Sequence, residues 1–120
     1  MKKILIVDDE PNIVMSLEYT FKKKGFLVYI ARDGSEAIEI LENIVPNIII
    51  LDIMMTNVDG YQTLKYIKSK RHLEDVKTIF LSAKSKASDI EKGLSLGADE
   101  YILKPFSVKK LVSAVNELLN

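Results

Sequence analysis

The segment Ile48–Leu51 is an unbroken run of aliphatic residues, preceded by Pro46-Asn47 and followed by Asp52 and a polar turn that ends in Asp59-Gly60. An apolar run this short, with no polar residue at alternate positions, has no face to give to water. It fits a strand covered on both sides, as in the middle of a parallel sheet. Such a strand delivers its last residue to the carboxyl edge of the sheet, where open α/β folds hold ligands. Asp52 stands at that edge. Taken alone, Asp52 is better read as simply opening the turn.

The rest of the chain alternates accordingly. Lys3–Val7 is a short β-branched run ended by Asp8-Asp9-Glu10, and Pro11 suits the first turn of a helix. Ile13, Val14, Leu17 and Phe21 share one helical face, and Gly25 after three lysines marks the stop. Leu27–Ala31 is a second strand, and Asp33 with Glu36 predicts a capping box for a helix carrying Ala37, Ile38 and Leu41. Beyond Gly60, Leu64 and Ile67 carry a third helix that dissolves into SKRHLED. Residues 77–81 form a fourth strand ending at Ser82, followed by a weak, polar helix around Ile90 and Leu94 that stops near Gly97. Residues 101–103 form a very short fifth strand running into Lys104-Pro105, whose peptide bond is a candidate cis bond. Ser107 caps a last helix with Phe106 and Leu111 as a staple, its apolar face being Leu111, Val112, Val115, Leu118 and Leu119.

Repeated β-α alternation implies right-handed crossovers and a parallel sheet with helices on both faces. At 120 residues the chain is read as one domain, 1–120. The fold class is α/β: a flavodoxin-like, doubly wound, five-stranded parallel sheet of order 2-1-3-4-5 with five helices. The switch point of that order lies between strands one and three. Topology alone therefore sets Asp8 and Asp9 beside Asp52.

Clustered acids carry a physical requirement. Two unit charges ~4 Å apart repel by about 4 kcal/mol at an effective dielectric of about 20, so such a trio must raise its own pKa values or hold a cation. The chain has no cysteine and a single histidine, His72, so the available ligands are oxygens and the ion a hard one, Mg2+ or Mn2+. An aspartate facing such an ion and an incoming phosphoryl group is a nucleophile of the aspartyl-phosphate type. Ser82 offers a hydroxyl to a phosphoryl oxygen and Lys104 an ammonium charge. Each has a plainer reading: a solvated turn at Asp8-Asp9-Glu10, a helix cap at Ser82, a surface charge at Lys104. Their joint arrival at one sheet edge favours the site.

VDDE at 7–10, LDIMM-x-x-x-DG at 51–60, LSA at 81–83 and GADEYILKPF at 97–106, in that order, resemble the receiver domains of two-component response regulators over essentially the whole chain. The resemblance implies that Asp52 accepts a phosphoryl group from a histidine kinase or phosphotransfer protein, or from small donors such as acetyl phosphate. It further implies that Asp8, Asp9, Asp52 and the Met54 backbone carbonyl hold Mg2+, and that Ser82, Lys104 and Tyr101 fall on the family's hydroxyl, lysine and aromatic-switch positions. Tyr101 turns inward when Ser82 moves toward the phosphoryl group, changing the face made by the fourth helix, fifth strand and fifth helix for a downstream partner or output domain. Met54 and Lys84 fall where the family modulates dephosphorylation. Thr56 departs from the proline usual there, which loosens the loop carrying Met54 without removing a ligand.

The domain is thus expected to be a phosphoacceptor, not an enzyme beyond self-phosphorylation and autodephosphorylation. The alternative is a pseudo-receiver that binds proteins without phosphorylation. An aspartate-nucleophile phosphatase would need a second aspartate at position 54, and no glycine-rich phosphate loop is present. Lys+Arg and Asp+Glu both number 17, which argues against direct nucleic-acid binding. The N-terminal apolar run ends at Asp8, too early for a membrane span, so a cytoplasmic location is expected. The chain ends at Asn120, which suits a free-standing receiver or the regulatory part of a longer protein. The last helix lacks the acidic-then-arginine pattern of winged-helix regulators, so a monomer or weak homodimer is expected.

Overall fold

The structure, a computed structural model, describes residues 1–120. The strands are β1 (Lys3–Val7), β2 (Leu27–Ala31), β3 (Ile48–Leu51), β4 (Lys77–Ser82) and β5 (Glu100–Leu103). Between and after them run α1 (Pro11–Lys23), α2 (Gly34–Leu41), α3 (Gly60–Ser69), α4 (Ala87–Ser95) and α5 (Val108–Leu119). All pairings are parallel in the order β2-β1-β3-β4-β5, the flavodoxin-like winding expected.

Strand alternation sorts the core into two layers. Ile4, Ile6, Ile48, Ile50, Ile79 and Leu81 point to the side covered by Leu17 and Phe21 of α1 and Leu111 and Val115 of α5. Leu5, Val7, Ile49, Leu51 and Phe80 point to the other, under Ala37 and Leu41 of α2 and Leu64 and Ile67 of α3. With both faces covered, β3 has no exposed residue, which is why it reads as an unbroken apolar run.

The helix ends follow local chemistry. At the end of α1 the Gly25 amide donates to Lys22 and the Phe26 amide to Phe21, both at 3.0 Å. Gly25 takes φ +90°, and Phe26 meets Phe21 edge-on at 5.3 Å, completing a Schellman stop with its apolar contact. Ser107 accepts from the Lys110 amide at 3.2 Å, as expected. The Lys104–Pro105 bond is cis.

Several expectations need correction. Asp33 caps α2 through the Glu36 amide, but Glu36 accepts from the Arg32 amide rather than Asp33, so the box is not reciprocal. The reciprocal box is at α3, where Asp59 accepts from the Gln62 amide at 2.9 Å and Gln62 accepts from the Asp59 amide at 3.0 Å. After α3 the chain makes a 3-10 turn, Arg71–Leu73, because Leu73 and Val76 are buried against the core. Ser82 belongs to β4 and Glu100 to β5. In α4, Leu94 is 45% exposed and the buried residue is Gly93. A Cβ there would stand 3.0 Å from the Phe80 ring and 3.1 Å from that of Tyr101, so α4 seats on two aromatic rings through a glycine.

Truncating Phe21 (0% exposed) to alanine should cost about 3–5 kcal/mol by urea unfolding. Met15→Ala, on the 67% exposed side of the same helix, should change stability by less than about 0.5 kcal/mol.

Candidate functional site

Register builds the site. Val7 pairs with Leu51, so the next residues, Asp8 and Asp52, leave adjacent strands at the same level, and the Asp52 amide donates to the Val7 carbonyl at 2.9 Å. Ser82 pairs with Leu103, and the Lys104 amide donates to the Ser82 carbonyl at 2.9 Å, which carries Lys104 over the same edge. Asp8 and Asp52 are buried, at 2% and 4% exposure.

The Lys104 ammonium lies among three carboxylates, 2.9 Å from Asp8 Oδ2, 2.9 Å from Glu10 Oε1 and 3.5 Å from Asp52 Oδ2. Asp52 is asymmetric: its Oδ1 accepts from the Ile53 amide at 2.8 Å, leaving Oδ2 facing the charges. Burial, and then the Asp8 charge, push the Asp52 carboxyl up to about 6 against the opposing pull of Lys104. Burial alone would lower the Lys104 ammonium, but its bonds to Asp8 and Glu10 hold it above the ordinary range.

Of the acids expected to converge, Asp8 and Asp52 stand together in the buried part of the site, while Asp9 is exposed and lines the cleft shared with Ile53, Met54 and Thr56. Glu10 takes the third place: Asp8, Glu10 and Asp52 each set a carboxylate oxygen within 4.8 Å of the others. Glu10 is the N-cap residue of α1 yet makes no side-chain cap bond, so its carboxylate is free to reach Lys104. That freedom is invisible in the sequence, where Glu10 reads only as part of an acidic turn. Three oxygens so close, with a raised Asp52, suit a divalent cation; the set fits magnesium chemistry.

Ser82 is fully buried, and its hydroxyl accepts from the Lys84 amide at 3.2 Å. Tyr101 is half-buried, tilted against Phe80 at 5.9 Å, and donates its hydroxyl to the Lys84 carbonyl at 2.7 Å. The peptide groups of Lys84 therefore link Ser82 to Tyr101, a bridge that the spacing of the three residues does not reveal. Met54 lies just beyond Asp52 with a 62% exposed side chain. The loop holding Met54 and Thr56 turns through Asn57 at φ +63°, whose amide donates to Asp33 at 2.9 Å. The left-handed residue and this tether to α2 shape the loop at the position next to Thr56.

Gly60 explains the Asp59-Gly60 pair. A Cβ on it would overlap the Asp52 carbonyl oxygen and lie 2.6 Å from Ile53 Cα, so α3 starts pressed against the backbone of Asp52. The Gly60 amide also donates to the Ile53 carbonyl at 2.9 Å.

The family model described as "Response regulator receiver domain" matches residues 4–116. Among solved structures, the signal receiver domain of a signal transduction histidine kinase from Syntrophus aciditrophicus is 33% identical, with TM-score 0.91 over 99% of this chain and 90% of that one. The response regulator TrrA from Thermotoga maritima, in complex with Mg(2+)-BeF, is 34% identical, with TM-score 0.86 over 99% of this chain and 100% of its own. A CheY-like receiver domain protein from Methanospirillum hungatei is 29% identical, with TM-score 0.93 over 99% and 94%.

Two outcomes follow from this geometry. Gly60→Ala should lose about 1–3 kcal/mol of stability by denaturant titration, through the forced shift of the Asp52–Ile53 backbone. For Asp52, the folded value near 6 lies above the ordinary carboxylate value of 3.8, so the fold is favoured below about 4 and that advantage is lost as pH rises through about 6. In chelator buffer Asp52→Asn should therefore raise stability at pH 7 by ~1 kcal/mol after allowance for solvent screening. Thermal melts of the two proteins should converge near pH 4.

Proposed function

This chain belongs to the response regulator receiver family of two-component systems, and on that premise we propose that Asp52 is its phosphoacceptor. The observation that carries the reading is the placement of the Lys104 ammonium among Asp8, Glu10 and Asp52 at the switch point of the sheet. Asp52 Oδ2, free of the backbone bond that occupies Oδ1, attacks the phosphorus of a kinase phosphohistidine. The P–N bond breaks and its electron pair leaves on the imidazole, giving an aspartyl phosphate. A carboxyl near 6 is mostly ionised at neutral pH, as a nucleophile must be.

Asp8, Asp9, Asp52 and the Met54 carbonyl would hold Mg2+, with Glu10 beside them, and the ion would neutralise phosphoryl oxygens. Manganese suits the same oxygen ligands. Lys104 turns from its carboxylates to the phosphoryl group, and the Ser82 hydroxyl donates to it. Moving Ser82 loosens its bond from the Lys84 amide, and because the Lys84 carbonyl also holds Tyr101, the shift reaches the face of α4, β5 and α5. That face is read by a downstream effector or output domain.

The 1–120 segment acts as one receiver domain, a regulatory phosphoacceptor with at most self-phosphorylation from small donors and autodephosphorylation. The intact donor set favours this over a phosphorylation-independent binding module. The Mg(2+)-BeF complex of the Thermotoga relative supports a divalent ion beside the acceptor in this family. The working assembly is a monomer or weak homodimer in the cytoplasm; no helix of the chain is long and apolar enough to cross a membrane.

Incubation with acetyl phosphate and Mg2+ should add one phosphoryl group per chain by intact mass spectrometry, and none to Asp52→Asn or after chelation with EDTA. Full labelling of Asp52→Asn would move the acceptor elsewhere.

A further inference from the structure

α4 is held by few contacts of its own. Its first residue follows Lys86, which makes no side-chain cap bond, and among its residues only Gly93 is buried. The contacts that fix it come from outside the helix, and two of them converge on one side chain of α3. The Tyr61 hydroxyl donates to the Asp89 carbonyl at 3.3 Å, in the first turn of α4. One turn on, the Lys92 ammonium stands over the Tyr61 ring, 4.2 Å from its centroid. The same ring packs edge-on against Phe80 at 5.8 Å, beneath Gly93.

Tyr61 is also bound to the backbone of Asp52 through its neighbour. The Asp52 carboxylate accepts from the Ile53 amide, the Ile53 carbonyl accepts from the Gly60 amide at 2.9 Å, and Gly60 has no room to shift against the Asp52 carbonyl. A displacement of the Asp52–Ile53 peptide is thus carried by rigid contacts into the first turn of α3, and from Tyr61 into α4. None of these contacts involves Ser82 or Lys84.

We propose that Tyr61 is a positioning residue that ties α4 to the backbone of Asp52 through α3, a link that does not pass through Ser82. It meets the Ser82–Lys84–Tyr101 link at Phe80 and at Asp89, whose carboxylate lies 3.7 Å from the Lys84 ammonium. In the resting protein Tyr61 holds the first two turns of α4 on the Phe80 ring. When the charge on Asp52 changes, the same contacts pass the change to α4. The second statement rests on the reading of Asp52 as phosphoacceptor; the first does not.

Amide hydrogen exchange tests both, on the full chain, with Tyr61→Leu (ring and hydroxyl removed) and Tyr61→Phe (ring kept). Without ligand, α4 amides of Tyr61→Leu should exchange about tenfold faster than wild type, with those of β1 and β3 unchanged and Tyr61→Phe falling between. On adding Mg2+ and beryllium fluoride, the change in α4 exchange seen in wild type should shrink in Tyr61→Leu and recover in Tyr61→Phe. Unchanged α4 exchange, or equal loosening of α4, β1 and β3, would reduce Tyr61 to an ordinary core aromatic and overturn the proposal. So would a full response to beryllium fluoride in Tyr61→Leu. Acetyl phosphate labelling is run in parallel and should be the same in both variants as in wild type. Absence of label from wild type itself would overturn the reading of Asp52, while the ligand-free exchange still decides whether Tyr61 holds α4.

Discussion

Two carboxylates, Asp8 and Asp52, are forced out of water at the ends of neighbouring strands, and a single ammonium answers them. The β1–β3 register leaves neither acid a way to diverge, since each follows a residue locked into the ladder. An unpaired carboxylate at that burial would be costly. Lys104 meets the need from the end of β5, two strands from β3, yet burial and then the Asp8 charge still hold the Asp52 carboxyl above the ordinary carboxylate range. That residual negative charge is what suits the edge to a divalent cation.

Around this charge cluster the fold divides into rigid and yielding parts. β1, β3 and β4 are covered on both faces, and α3 is anchored by a reciprocal cap and by Gly60 pressed on the acceptor backbone. α4 lacks a side-chain cap, buries a glycine rather than a leucine, and leans on the rings of Phe80, Tyr101 and Tyr61. Phe80 meets Tyr61 edge-on at 5.8 Å and Tyr101 tilted at 5.9 Å, and with few buried residues of its own α4 is the least firmly held helix of the fold.

Much of this was legible before any coordinates. Unbroken apolar runs at Ile48–Leu51 and Ile4–Val7 required a sheet buried on both faces, and their alternation with helical patterns left essentially one winding. The motifs around Asp8, Asp52, Ser82 and Lys104 then located the edge. What was misread was short-range detail with more than one local solution. Asp33-x-x-Glu36 and Asp59-x-x-Gln62 look alike as strings, yet Glu36 reaches back one residue further to Arg32. Ile90 and Leu94 marked the fourth helix without saying which residue meets the sheet, and the packing distance to Phe80 admits only Gly93, leaving Leu94 45% exposed.

By itself, then, the sequence determined the strand order, the two-layered core and the set of residues at the carboxyl edge, because hydrophobic period and crossover handedness leave few alternatives. Only the tertiary structure decided which acids face the lysine. Asp9 and Glu10 are adjacent in the chain and chemically equivalent, and the choice between them turns on side-chain direction at the start of α1. It likewise decided that Tyr61 touches α4 and that Lys84 joins Ser82 to Tyr101, since both links depend on how closely separate elements approach. Periodicity reports which face a residue takes; it carries no information on interatomic distance across the packed layers.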